Sequence, residues 1–567
     1  MPGRSGVRAI ATLLGYVCAV VWLTWPLGAH LATDLPNTYP LARCDALFGG
    51  WALAWETHAL TTDAWRLFDA NIFHPAKHTL AYGPLAFGGL PFFAPVFLTT
   101  GNPTLALNLT LLLGIALTAT GLHRVTVRWT GLELAGFIAG WAFLCVRWTL
   151  YSSLPTVPYY AALQWLPWIV WLSASSLQGP TRVLGLAALV TFQGLTDAVY
   201  VAPATLAPLG VLAVIRLARP ATRAAGIRLA AALGIALLAL VPVYAAYLLV
   251  VAAEPNLLAS TIWTASTASL ERIGIPSVAG MAMVPQPAPW HGAANAGPIG
   301  LPRAALALIV VGVALRIARR GGDDRARPGW RMATLWAVVG LAISVPAIGN
   351  LGDAIVMPHF ALAAHVAPRL LEIVRAPWRL GVAGLVGLAL LAGLAMAEVA
   401  RRAGRWSRLV GPVVAGLVVV LGYVEVRGYE PSPYQLAPAI TDEDAQVIEW
   451  LRAGSGPVLE VPVLQEGTRP APNSSAMYRS IFHWRPLLNG YSSYIPTGYA
   501  VRMAIANDLP DPAALATLRR ETDLTTIVVH DAADLPNRAA WQRAATDPTG
   551  PLVLVGRAGA TSVFDVR

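Results

Sequence analysis

Charge and cysteine are what this 567-residue sequence has least of. Charged residues make up 12%, about half of the roughly 25% usual in a soluble domain. With 56% hydrophobic residues and a mean hydropathy of +0.57, that scarcity excludes a soluble enzyme, a disordered chain or a nucleic-acid binder as the main reading. Cys18, Cys44 and Cys145 are too few and too scattered for a disulfide framework or a zinc site. There is no CxxC, HExxH, GxGxxG or GxxxxGKS/T pattern, so metal, dinucleotide and nucleotide have no handle, and no cofactor is expected. Lys77 is the only lysine. Arginine therefore carries nearly all the positive charge.

What the chain has in quantity is long apolar runs. Eleven stretches reach spanning length, near 9–29, 102–122, 131–147, 161–177, 183–199, 201–217, 228–251, 302–318, 332–349, 379–398 and 409–426. Arg4 and Arg8 ahead of the first run imitate a signal peptide, but the run is long enough to span and others follow, so a retained helix is expected.

The net charge of +10 is unevenly spread: residues 430–567 hold 11 basic and 15 acidic residues, leaving +14 in the first 429. Arginines concentrate in every second short loop, at Arg4 and Arg8, Arg124 and Arg128, Arg182, 216–228, 316–331 and 401–408. These loops carry 19 positive residues against nine in the longer alternate ones. The positive-inside rule puts the arginine side in the cytoplasm. The N-terminus is then inside, and eleven spans leave the C-terminal tail outside. The expected fold is an α-helical polytopic membrane protein, residues 1–429, followed by a soluble extracytoplasmic α/β domain, 430–567.

Two outer loops stand out, 30–101 and 252–301. The first holds half-apolar helical stretches near 45–60 and 84–99, with Trp51, Trp55 and Trp65 suited to a membrane interface. The second is rich in Pro and Gly and suits a lid. In the tail, Thr441-Asp442-Glu443-Asp444 reads as a capping box, and Asp511-Pro512 as a cap with first-turn proline. Short β-branched runs at 458–463, 525–530, 552–555 and 562–566 read as strands.

Candidate chemistry lies in the outer polar segments. Asp45, before the apolar stretch 46–55, is either a general base or a cap for a helix starting at Ala46. Glu56, Asp63 and Asp69 read more simply as solvated or capping carboxylates. Asn71, His74, Lys77, His78 and Tyr82 form a polar and aromatic cluster of the kind that holds a sugar or phosphate. His74 and His78 have metal-pair spacing, but Pro75 between them argues against a continuous helix and hence against a metal. Asp197 is an acid in an apolar stretch, where a charge is expensive unless it lies at the outer end of its span. Arg375 and Arg379 flank Ala376-Pro377-Trp378 at the start of the tenth span, where they suit either a lipid phosphate or interfacial anchoring. Tyr478, His483, Trp484, Asn489 and Tyr491 suit either carbohydrate contact or packing of the tail.

The segments DALFGGWALAWETHAL and LFDANIFHPAKHTLAY resemble those of bacterial multispanning proteins in the GT-C-type, polyprenyl-phosphate-sugar-dependent glycosyltransferase superfamily. TGNPTLALNL, IVRAPWRL, YRSIFHWRPLLNGYSSYIP and TTIVVH fit the same group, so the resemblance covers nearly the whole chain. It implies transfer of a sugar from a polyprenyl-phosphate carrier to a glycan, lipid or protein acceptor outside the bacterial cytoplasmic membrane. It also implies that Asp45 is the base, with Asn71, His74, His78, Arg375, Arg379 and His483 as substrate contacts. Cys44 and Ala46 depart from the adjacent acidic residues of many members, which makes a metal-dependent variant less expected. A lipid-linked glycan flippase, or a non-catalytic assembly protein, is the rival expectation. Few ionisable residues in the spans count against a carrier, whose sites lie near the midplane.

Overall fold

The computed structural model describes residues 2–37, 40–146, 148–153, 162–254, 300–318, 325–345, 347–348, 355–366, 377–403, 408–428, 435–463 and 471–567. A helix occupies each of the eleven expected places, but among the described residues six segments are long and apolar enough to cross a membrane. These are Gly6–Leu23, Pro103–Thr130, Val201–Ala218, Pro220–Ala253, Arg379–Arg402 and Val410–Arg427. The count of eleven full spans is not confirmed. Glu133–Leu144 has 12 residues, Leu166–Ser173 has 8 and Pro180–Gly194 has 15, each short of the roughly 17 needed to span.

At the centre of the bundle is Val382–Ala403, buried over almost its whole length. It packs against Arg327–Ser344 through small residues. A Cβ on Gly340 would run into the Gly384 backbone, so the two helices approach as closely as glycine allows. Pro103–Thr130 also runs through the core and relates its two ends. At one end Thr104 Oγ1 lies 2.7 Å from the Tyr478 hydroxyl of the tail. At the other, the Thr130 carbonyl accepts from Arg401 at 2.7 Å. The two contacts lie about 39 Å apart along the helix axis. Arg216 and Arg228 bond the Ser173 and Ser176 carbonyls, and Arg128 lies over Trp171, gathering arginines at helix ends.

The tail is a four-stranded sheet with helices, as its alternating pattern predicts. Val458–Val461 pairs in parallel with Thr526–His530, followed by antiparallel Thr561–Val566 and Leu552–Ala558. The capping box forms at Thr441 and Asp444, and Asp511 caps Pro512–Thr522. Helices Ala471–Ser480 and Tyr499–Asn507 add to that reading. Two seams join the tail to the first loop. Asp34–Pro36 pairs antiparallel with Leu436–Pro438. The backbone of 71–74 also pairs with 487–489, through Phe73 N to Asn489 O, His74 N to Leu487 O and Leu487 N to Asn71 O.

Candidate functional site

The helix Pro40–Thr62 organises the tail-facing end of the molecule, lying between the bundle and the tail helix Ala471–Ser480. Asp45 is in its second turn, so the reading of Asp45 as a cap for a helix starting at Ala46 is corrected: the helix begins at Pro40. The side chain is half-buried, and its Oδ1 accepts from the Tyr491 hydroxyl at 2.7 Å. Phe48, one turn along, meets the Tyr491 ring edge-on. Arg43 donates to the Ala437 and Pro438 carbonyls, which ties the start of this helix to the tail.

Three turns beyond Asp45, on the same face, is Glu56. Its reading as a solvated or capping residue fails, because it is fully buried. Oε1 accepts from the Ala86 amide at 2.9 Å, while Oε2 has no partner among the described residues. Burial pushes its pKa up to about 8, the Ala86 bond offsetting part of that rise, so the carboxyl is largely neutral at pH 7. The eleven-residue spacing from Asp45 was the available sequence signal, hidden by the apolar residues around it.

The 82–86 segment is held from three sides. The Tyr247 hydroxyl accepts from the Leu85 amide at 3.1 Å and donates to the Gly83 carbonyl at 2.9 Å. The Tyr82 hydroxyl donates to Glu254 at 2.9 Å, and Thr497 donates to the same carboxylate from the tail. Glu254, just past the helix Arg223–Ala253, thus links bundle, loop and tail. Sequence reasoning missed it, as it missed the bond from Tyr491 to Asp45.

Asn71 is buried and used in packing: Oδ1 accepts from Trp51, and Nδ2 donates to Ser480 and to the Arg485 carbonyl. His483 accepts from the Arg485 amide through Nδ1, and burial holds its pKa down to about 4. The exposed His78 amide bonds Asp69 at 2.8 Å. Asn71 and His74, whose pKa burial lowers, both line a cleft of about 480 Å³ with Trp55, His58, Lys77 and Trp484. Arg379 lies in the short 3-10 turn Pro377–Gly381, 5.5 Å from the Tyr200 ring. Asp197, near it, is buried and accepts from the Val199, Tyr200 and Val201 amides, which explains how an acid is tolerated there. Arg375 and the expected lid 252–301, beyond its first and last few residues, fall outside the described residues. No group of three or more His, Cys, Asp or Glu suited to a metal ion occurs among the described residues.

No family model matches the chain, and no curated protein matches it either. Solved structures do. An arabinofuranosyltransferase, AftD, from Mycobacteria is 16% identical with a TM-score of 0.51, over 96% of this chain and 41% of that one. The archaeal oligosaccharyltransferase AglB from Archaeoglobus fulgidus, with an inhibitory peptide and a dolichol-phosphate, is 12% identical with a TM-score of 0.48, over 93% of this chain and 70% of that one. The Archaeoglobus fulgidus oligosaccharyltransferase in the apo form is 11% identical with a TM-score of 0.47, over 92% and 69%. The likeness to AftD is one of fold: this chain has the GT-C type of architecture and spans less than half the length of that protein.

Proposed function

We propose that this chain is a multi-pass membrane glycosyltransferase that moves a sugar from a polyprenyl-phosphate carrier to an extracytoplasmic acceptor. The observation that carries the reading is Asp45: a carboxylate in a helix at the junction of bundle and tail, oriented by the Tyr491 hydroxyl at 2.7 Å. The GT-C fold supports the same reading. In it, the acceptor oxygen attacks the anomeric carbon opposite the phosphate. The bond from that carbon to the phosphate oxygen breaks, its electron pair leaves with the polyprenyl phosphate, and Asp45 takes the acceptor proton.

Arg379 has the chemistry to hold the lipid phosphate, with Arg375 as its sequence neighbour in that role. The arginine-bearing helix ends lie far along Pro103–Thr130 from the tail, which supports a cytoplasmic N-terminus and an extracytoplasmic tail in a bacterial cytoplasmic membrane. Residues 1–429 would then form the transfer unit and 430–567 an outer domain that completes it.

Sugar transfer by purified protein tests the reading, with Asp45→Asn as the decisive variant. Asn keeps an oxygen for Tyr491 but cannot take the proton. Turnover should fall about 10²- to 10⁴-fold with the variant folded. Transfer at the wild-type rate would leave the mechanism without its base.

A further inference from the structure

The cleft beside His74 is not the place where Asp45 acts. His58 follows Asp45 by thirteen residues on one helix, about 20 Å along its axis. Three pieces of chain wall the cleft: the last turns of Pro40–Thr62, the loop that follows it, and the 484–486 segment of the tail. Its volume of about 480 Å³ suits a ligand of several rings rather than one.

Its chemistry is specific. Trp484 and His58 stack with ring centroids 4.2 Å apart and 12° between planes, and Trp55 meets Trp484 edge-on. Burial holds the His58 imidazole in its neutral form, so this wall is aromatic and uncharged. Opposite are two cations, Arg66 and Lys77, with no ion pair among the described residues, and two carboxylates, Asp63 and Asp69. Asp63 accepts from the Trp65 amide and Asp69 from the His78 amide, fixing both carboxylates in place. Formal charge on the lining balances, which disfavours a phosphate or sulfate as ligand. Backbone strain is present in the wall as well: Trp484 has a φ of 54°, a region few non-glycine residues occupy.

Flat aromatic faces beside fixed donors and acceptors are what a sugar requires, its C–H faces stacking and its hydroxyls bonding both ways. We propose that this cleft binds a neutral oligosaccharide, as a site separate from the point of transfer. Its role, which rests on the transferase reading, is to hold the body of an acceptor glycan whose end lies at Asp45. Acceptors several units long would then be preferred over short ones.

The test is binding without turnover. Fluorescently labelled linear hexasaccharides of glucose, mannose, galactose and arabinose are titrated against the full chain in detergent, alongside the monosaccharides and a chondroitin sulfate hexasaccharide. At least one neutral hexasaccharide should saturate, its monosaccharide binding at least about tenfold more weakly. Trp484→Ala, and separately the exposed pair Arg66→Ala with Lys77→Ala, should each weaken binding about tenfold, while Asp45→Asn binds as wild type. The paired variant changes exposed residues only and decides the matter if Trp484→Ala fails to fold. Binding by none of the neutral probes, binding of the sulfated probe alone, or affinity unchanged in the paired variant would overturn the proposal. Full transfer by Asp45→Asn would instead remove the catalytic reading and leave the binding result standing.

Discussion

Glu460 in the tail and Glu56 under the first loop are buried to the same degree and end in opposite states. Glu460 is matched by Arg479, which also bonds Asp444 at 2.8 Å, and by His530 at 2.8 Å. Burial works against its charge, but the Arg479 guanidinium, aided by His530, holds it well below the usual carboxylate range. Among the described residues Glu56 has one amide and no cation, and burial raises its pKa to about 8. Burial therefore does not set the charge; the partner does. The network around Glu460 is matched from within the tail, while the junction of first loop, bundle and tail keeps polar atoms without described partners at Glu56, Gln164, Gln193 and Ser492. Such atoms are expected where a polar ligand enters.

The largest test of this contrast is Arg479→Met. It leaves Glu460 and Asp444 without their cation and should cost about 3–5 kcal/mol of tail stability. The readout is faster hydrogen exchange in Val458–Val461, in the full chain in detergent. Adding Glu460→Gln should recover much of the loss. No change in exchange would mean that the tail does not depend on this network. Acid should act in the same sense: a carboxylate depressed in the folded state gives stability that is complete above its unfolded pKa, roughly 4.3, and lost as pH falls below it.

Glu56→Gln should move stability the other way, and only as pH rises. The folded carboxyl binds a proton up to about pH 8, whereas the unfolded one loses it near 4.3. Folding is therefore penalised increasingly as pH rises between those values. Gln keeps the Ala86 bond without the penalty. The variant should match wild type at pH 5 and melt higher at pH 8; a lower melting temperature at pH 8 would show Glu56 ionised and paired.

The smallest effect is expected at His483. Its folded pKa of about 4, against roughly 6.5 unfolded, gives stability that is complete above 6.5 and lost on acidification towards 4. His483→Gln should flatten the part of the acid melting curve between those limits. A curve unchanged from wild type would place the titration elsewhere.

The tail was legible because its signals are local. Thr441 with Asp444, and Asp511 with Pro512, set helix starts within four residues, and short β-branched runs give the strands. The bundle was legible in position but not in span length. Apolar composition marks a helix, whereas its end depends on breaks such as the turn around Asp197, whose carboxylate is held by its own local amides. The site was half legible. Asp45 and the 69–78 cluster could be picked out by residue type, but sequence gave no sign that Asn71 is a packing residue or that Tyr491 reaches Asp45. Those facts depend on pairing between segments about four hundred positions apart.

That pairing also has a consequence in time. The first loop's partners are 394 to 414 residues downstream, at Ala437, Ser480 and Arg485. At about 5–20 residues per second of synthesis, the loop waits about 20–80 s for them after it is made. Through that interval Asp45 lacks the Tyr491 hydroxyl and the backbone at 71–74 lacks its ladder. The first loop is therefore among the last parts of this fold to be completed, after the bundle helices that follow it have been made.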